Sequence, residues 1–357
     1  MATKTKKTTR KKTTNSEIVD RAVRHAIYLE RLKNSEASSV VDLIRQFVVP
    51  ALVQRIENSS ESTLLQQAVG STIILLQRMV VKLNERAAPA MLQLAKAEAT
   101  WQASVIRSAI PLEVSLVPPN LPRLEQIAFR PLFDRGPAAQ WYSELPAKTA
   151  ESVQKVVKQS LAAENSVEKT VEALKGKSED FTNVLGEGGE LERNAKAITR
   201  TAISQVSADA REEVFKENTD VIDKVQMVAT LDTRTSPYCQ SIDGQIFEVG
   251  VGPRPPFHWG CRTVAVPVTK SWKDLGFKFK DTTPKQRASM DGEVPATLTY
   301  PDWLAKQSDK VQDDVLGPTR AALYRSGKVE IDRFVDGEGR QLTLKELARR
   351  EGFELPD

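Results

Sequence analysis

Cysteine and histidine are nearly missing from this 357-residue sequence, which holds two of each. Two thiols cannot build a disulfide framework, and such sparse use fits a reducing cytoplasm. No run approaches the ~20 apolar residues of a membrane span; even the stretch from Leu43 to Val53 is interrupted by Arg45, Gln46 and Pro50. No apolar segment follows the N-terminal charges, so the expectation is neither a secreted nor a membrane-spanning chain. Paired-carboxylate and glycine-rich catalytic signatures are absent. Gly186-Glu-Gly-Gly189 lacks both the following Gly-Lys-Ser/Thr and the preceding strand of a phosphate loop. Aromatic residues make up 6% of the chain, and Trp101, Trp141, Trp259, Trp272 and Trp303 are scattered, so no stacking platform for single-stranded nucleic acid is visible.

The charge that is present is unevenly placed. The chain has 51 basic and 47 acidic residues. Lys4, Lys6, Lys7, Arg10, Lys11 and Lys12 fall within residues 1–14, which contain no acid; setting them aside leaves 45 basic against 47 acidic residues. The expectation is a balanced folded body preceded by a disordered basic arm over residues 1–14, with those six side chains as DNA-contact candidates. A plain solubilising tail is the alternative reading of the arm. The apolar fraction of 40% is lean for a compact enzyme of this size. It suits an elongated or multi-lobed chain, or one that completes its burial against partners.

Hydrophobic periodicity predicts an α+β, predominantly helical fold. Residues 15–110 form an elongated N-terminal helical region. Thr14 and Glu17 have capping-box spacing, a second helix runs from Ser39 to Val49 until it meets Pro50, and Pro89 marks a break or a first-turn position. Seven of the 19 prolines lie in 111–146, predicting a proline-rich, extended, docked linker. None lies between 147 and 236, which leaves that stretch free to be helical with a break near Gly186–Gly189. Its second half carries Leu191, Ala195, Ile198, Ala202, Val206, Ala210 and Val214 at helical spacing. The period then shortens: Val225, Met227, Ala229 and Leu231 alternate as in a strand, Asp243-Gly244 reads as a hairpin turn, and Arg262–Val268 reads as another strand. The C-terminal half thus carries a small antiparallel β unit. Residues 271–357 return to helix, with one helix opening at Trp303, a second over Val311–Tyr324, and a third capped by Thr343 and Glu346.

The unusual residues concentrate in Leu231-Asp-Thr-Arg-Thr-Ser-Pro-Tyr-Cys239 and Pro255-Pro-Phe-His-Trp-Gly-Cys-Arg262. Cys239, His258 and Cys261 offer two thiolates and an imidazole to zinc, but a closed site needs a fourth ligand, which Asp232 could complete geometrically. A Cys–His nucleophilic pair oriented by Asp232 or Asp243 is a second reading. The preferred one is that these side chains pack and hydrogen-bond the small β unit. Asp232, Arg234 and Thr235 suit a tight polar turn, with Arg234 clamping a carboxylate or carbonyls. His25, on a charged helix, is expected to be solvated.

The series Ala197-Ile-Thr-Arg-Thr201, Met227-Val-Ala-Thr-Leu-Asp-Thr-Arg-Thr-Ser-Pro-Tyr-Cys239, Asp243-Gly244 and Pro255-Pro-Phe-His-Trp-Gly-Cys-Arg262 resembles the phage head morphogenesis domain. This is the Mu F-like minor head protein family of tailed bacteriophages, and the resemblance assigns residues 147–270 to such a domain. Its motif positions here are Arg200, Thr201, Asp232, Arg234, Thr235, Asp243, Gly244 and Arg262. The segment from Trp303 through Val315-Leu-Gly-Pro-Thr-Arg320 to Leu342-Thr-Leu-Lys-Glu-Leu347 is similar to one that follows the domain in some members. The chain departs from the pattern where Ser236-Pro-Tyr-Cys239 replaces Cys-Pro-x-Cys, where Thr263 replaces the last residue of Cys-Arg-Cys, and where Ala202 replaces an acid. Two potential metal ligands are thereby missing. The resemblance implies a non-enzymatic minor capsid protein in multiple copies, associated with the portal protein at the inner capsid surface and assembled in the bacterial host cytoplasm. Major capsid or scaffold protein are further implied partners. Roles in head assembly and in DNA packaging or ejection follow, with the basic arm facing packaged DNA.

Overall fold

A computed structural model describes residues 14–110, 115–130, 142–271, 274–275 and 287–354. The six basic candidates of the arm, Trp141, Trp272 and parts of the proline-rich segment lie outside them.

The predominantly helical α+β class expected from the periodicity is the one found. Helix α1 (Thr14–Leu43) continues through a π-helical turn, Ile44–Val48, into α2 (Val49–Glu57). The expected stop at Pro50 therefore does not occur, because Pro50 sits in the first turn of α2, where a missing N–H costs no intrahelical bond. Pro89 likewise breaks nothing: α3 runs unbroken from Leu64 to Ala109. Its 46 residues span roughly 70 Å at the usual helical rise. By length and composition α3 is also apolar enough to cross a membrane, which corrects the expectation that no segment approaches that limit. Within the fold its stripe of Leu64, Ala68, Leu76, Leu83, Ala95, Ala99 and Ile106 is buried, packed along α5 (Leu145–Ala162) and α7 (Glu190–Glu217).

The 111–146 segment is not uniformly extended. Asn120 caps α4 (Leu121–Ala128) by accepting the Arg123 N–H at 3.0 Å, with Pro122 in the first turn. A proline that falls just behind a cap starts a helix instead of preventing one. The docking expected of this segment is present: the Val117 N–H and C=O both bond the Asn218 side chain, at 2.7 and 2.9 Å. Helix α6 (Val167–Leu174) and the glycine-rich turn lead into α7, whose predicted stripe is buried from Leu191 to Val214 except for the half-buried Ile198.

A three-stranded antiparallel sheet follows, in the order β2-β1-β3, formed by β1 (Ile222–Val228), β2 (Ile246–Glu248) and β3 (Val264–Thr269). Gln226 of β1 faces Ile246 on one side and Val266 on the other. Asp243-Gly244 is not a two-residue hairpin turn. Ser236 accepts the Cys239 N–H and caps a short helix, α8 (Pro237–Ile242), so the chain reaches Asp243 from a helix rather than a strand. Gly244 holds a positive φ of 84°, leading the chain from α8 into β2.

The C-terminal part pairs β4 (Arg287–Ser289) with β5 (Gly292–Val294) and adds α9 (Tyr300–Leu304), α10 (Asp309–Leu316), α11 (Pro318–Arg325) and α12 (Leu344–Glu351). The single helix expected over 311–324 is two. Gly317, with φ 77°, ends α10, and Pro318 opens α11. The Thr343/Glu346 capping box forms as predicted, and Thr299 with Asp302 makes another. Leu231, Tyr300, Trp303, Leu304, Phe334 and Leu347 build a core separate from the one shared by α3, α5 and α7.

The two parts are joined by a buried ion pair. Asp243, whose carboxylate is fully buried, accepts the Ala229 N–H at 2.6 Å, the Tyr300 N–H at 2.7 Å and the Arg287 guanidinium at 3.1 Å. Arg287 also donates to the carbonyls of Leu298 and Ala229. Asp243→Asn keeps the shape but leaves Arg287 charged in the interior. The expected loss is about 3–5 kcal/mol, read from the denaturation midpoint, with partial recovery in the Asp243→Asn/Arg287→Met double variant.

Candidate functional site

The polar turn after β1 closes on itself. Asp232 accepts the Arg234 N–H at 3.0 Å, and the Thr235 hydroxyl bonds the Thr230 carbonyl at 2.5 Å. The clamp expected of Arg234 belongs to Arg262 instead. Both Arg262 terminal nitrogens hydrogen-bond the Asp232 carboxylate, whereas Arg234, its side chain 81% exposed, makes only a longer ion pair with it at 3.7 Å. Arg262 wins because it arrives from the loop before β3, across the turn, where its planar fork meets both oxygens. Burial pushes the Asp232 carboxyl up, but the bonds and charge of Arg262, together with the Arg234 amide, outweigh it and hold the group below the usual carboxylate range. Asp232 is therefore committed to Arg262 and does not supply a fourth ligand to the cysteines. The Tyr300 hydroxyl caps the Asp232 carbonyl at 2.8 Å, and burial raises its ionisation above the ordinary phenol range.

Cys239, His258 and Cys261 come together, as their spacing suggested. Their donor atoms lie within 4.8 Å of one another. The sulfurs are 3.7 Å apart, and Cys239 Sγ is 3.2 Å from His258 Nε2. Both thiols are buried beside Ala229 with Phe257 packed against them, while His258 is half-exposed. The His258 Nδ1 faces the Trp259 carbonyl at 3.0 Å. A carbonyl can only accept, so Nδ1 carries the proton of the neutral ring and Nε2 turns a lone pair toward the sulfurs and the Ser236 hydroxyl, 2.8 Å away. The Cys239 thiol donating to Cys261 favours the thiolate at Cys261 and lowers its ionisation to about 4. The same hydrogen bond raises that of Cys239.

Two motif residues on α7 serve as braces. Arg200 reaches Glu30 on α1 at 2.6 Å, and the buried Thr201 hydroxyl accepts the Gly260 N–H at 3.3 Å, tying the helix to the His258–Cys261 loop. The expectation of a solvated His25 is overturned. Its ring stacks on Trp101 with centroids 3.7 Å apart, and Nε2 meets Glu98 at 2.7 Å. Glu98 in turn lies 3.5 Å from the buried Arg211. Burial lowers the Arg211 ionisation. No pattern in the sequence pointed to this group or to Arg287, since each partner sits on a different element.

Most of the unusual side chains around the sheet are thus spent on one another, which is what a shape-locking structural domain requires. Residues 151–266 match the family described as Phage Mu protein F like protein. The matched stretch runs from α5 to β3 and takes in α7, the polar turn after β1 and the loop bearing His258 and Cys261. No curated protein and no solved structure matches the chain.

The Asp232 carboxylate stabilises the fold in its ionised form, so its contribution is complete above the unfolded value near 4 and fades as the pH falls through the lower folded value. Asp232→Asn is expected to cost roughly 1–2 kcal/mol at neutral pH. In denaturant titrations over a pH series, the gap to the unaltered protein should narrow below about pH 4.

Proposed function

We propose that this protein is a minor structural component of a tailed-phage head, present in several copies and held at the portal on the inner capsid surface. It acts there in head assembly and takes no catalytic part. The match of residues 151–266 carries this reading. Its support is physical as well. Arg262 uses up Asp232, and Arg287 uses up Asp243, so neither acid is available to orient His258 as the base of a Cys–His pair. The N-terminal helices leave Ile27, Tyr28 and Phe47 on α1 and its π turn, and Ile74 and Val81 on α3, exposed to between 45 and 64%. Large apolar side chains in such positions favour burial against neighbouring subunits.

The portal protein is the expected partner, with major capsid or scaffold protein adjoining. Procapsids dissociated gently and fractionated should yield the chain together with portal protein. Its absence from both procapsids and virions would defeat the assignment.

A second reading, of a DNA-associated internal protein that takes part in packaging or leaves with the genome, is favoured by the six basic residues at 1–14. If all six engage phosphates they contribute a slope of about −5 to the dependence of log affinity on log salt. Deleting residues 1–14 should flatten the measured slope by that amount, and an unchanged slope excludes the arm as a DNA contact.

A further inference from the structure

The Cys239–His258–Cys261 cluster has a geometry that packing alone does not require. We propose that these three side chains bind one thiolate-preferring divalent cation of the zinc class, with the fourth position on the Ser236 side. A tetrahedral ion with metal–sulfur bonds of about 2.3 Å holds its two sulfurs about 3.8 Å apart. The observed separation is 3.7 Å, far beyond the ~2.05 Å of a disulfide. His258 presents the correct nitrogen: Nδ1 is anchored on the Trp259 carbonyl, which leaves Nε2 aimed at the sulfurs. An outer hydrogen bond of this kind orients the ring and sets the tautomer a metal needs.

The chemistry of the donors selects the ion. Two sulfurs and one imidazole are soft to borderline ligands, and Asp232 and Asp243 are held by Arg262 and Arg287. Calcium and magnesium, which need several oxygens, are excluded on that ground. Binding forms two metal–sulfur bonds and one metal–nitrogen bond. Any thiol still protonated gives up its proton on binding, so two thiolates balance the doubly charged ion.

The remaining corner is open on one side. Ser236 Oγ is 2.8 Å from His258 Nε2, and both residues line a cavity of about 390 Å³ whose far wall includes Glu338 and Gln341. A water or the Ser236 hydroxyl completes the tetrahedron from that side. Cys239 lies on α8, and His258 and Cys261 lie on the loop before β3, so the ion cross-links two segments 22 residues apart along the chain.

The full-length chain, reduced and stripped with chelator under anaerobic conditions, is titrated with Co²⁺ and then with Zn²⁺. The expected result is a thiolate-to-cobalt charge-transfer band with the intense d–d absorption of four-coordination, saturating at one ion per chain and abolished by Zn²⁺. Cys261→Ser should lose the charge-transfer intensity of one sulfur and weaken binding at least tenfold. Ser236→Cys should strengthen both the band and the affinity at least tenfold. The reduced unaltered chain is the decisive sample and does not depend on a variant folding. If both its thiols are counted as free yet no thiolate band forms, the proposal is overturned. It is overturned equally if only the Ser236→Cys chain acquires the spectrum, since three native donors would then not suffice.

Discussion

The buried Asp243–Arg287 pair is the constraint on which the two halves of the fold depend. Asp243 ends α8, and its carboxylate simultaneously holds the end of β1 through Ala229 and the start of α9 through Tyr300. Arg287 spans the same junction from the opposite side, reaching Ala229 and Leu298. Removing two charges from water is costly, and the cost is met only because two backbone N–H groups and the guanidinium converge on one carboxylate and the guanidinium finds carbonyls as well. An apolar pair of similar volume could fill the space. It could not specify which strand end, helix start and turn must meet there.

The same principle of committed polar groups governs the neighbouring turn. Asp232 is fastened by Arg262, accepts the Arg234 N–H and the Thr235 hydroxyl as well, and has its carbonyl capped by Tyr300. Because Arg262 follows Cys261 directly, the clamp on Asp232 also fixes where that cysteine stands. Thr201 on α7 holds Gly260, so Cys261 is braced on both sides. The cluster is preorganised by its surroundings, which lowers the entropy that an ion would otherwise have to overcome on binding.

Further out, the long helices are joined by charged groups as well as by their apolar stripes. His25 of α1, Glu98 of α3 and Arg211 of α7 meet in the interior. Arg45 in the π turn grips Glu192 in the first turn of α7 with two bonds of 2.6 and 2.8 Å. Such contacts add little net stability once desolvation is counted, but they fix the register of helices whose alanine-rich faces could slide.

How much of this was legible depends on the distance over which each signal acts. The stripe on α7, the alternation in β1, the Thr343/Glu346 box and the gathering of Cys239, His258 and Cys261 were read from the chain, because periodicity, caps and a short spacing are local properties. Pro50, Pro89 and Pro122 all lie within helices, where the sequence alone predicts a stop, a break and an extended chain. Proline reports only a missing donor and a locked φ, and whether that breaks a helix depends on the cap before it and on the packing that sustains it. The Asp243-Gly244 turn was misassigned for a related reason: the cap at Ser236 and the partners at Ala229, Arg287 and Tyr300 outweighed a two-residue preference. What the sequence determined by itself was the helical class, the small sheet, the head-protein resemblance and the identity of the unusual residues. Only the tertiary structure decided that Arg262 is the close partner of Asp232, that His25 packs against Trp101 and Glu98, and that Arg287 reaches Asp243 across 44 positions. Pairings between distant residues leave no periodic trace; they are chosen by where packed elements bring a donor and an acceptor within about 3 Å.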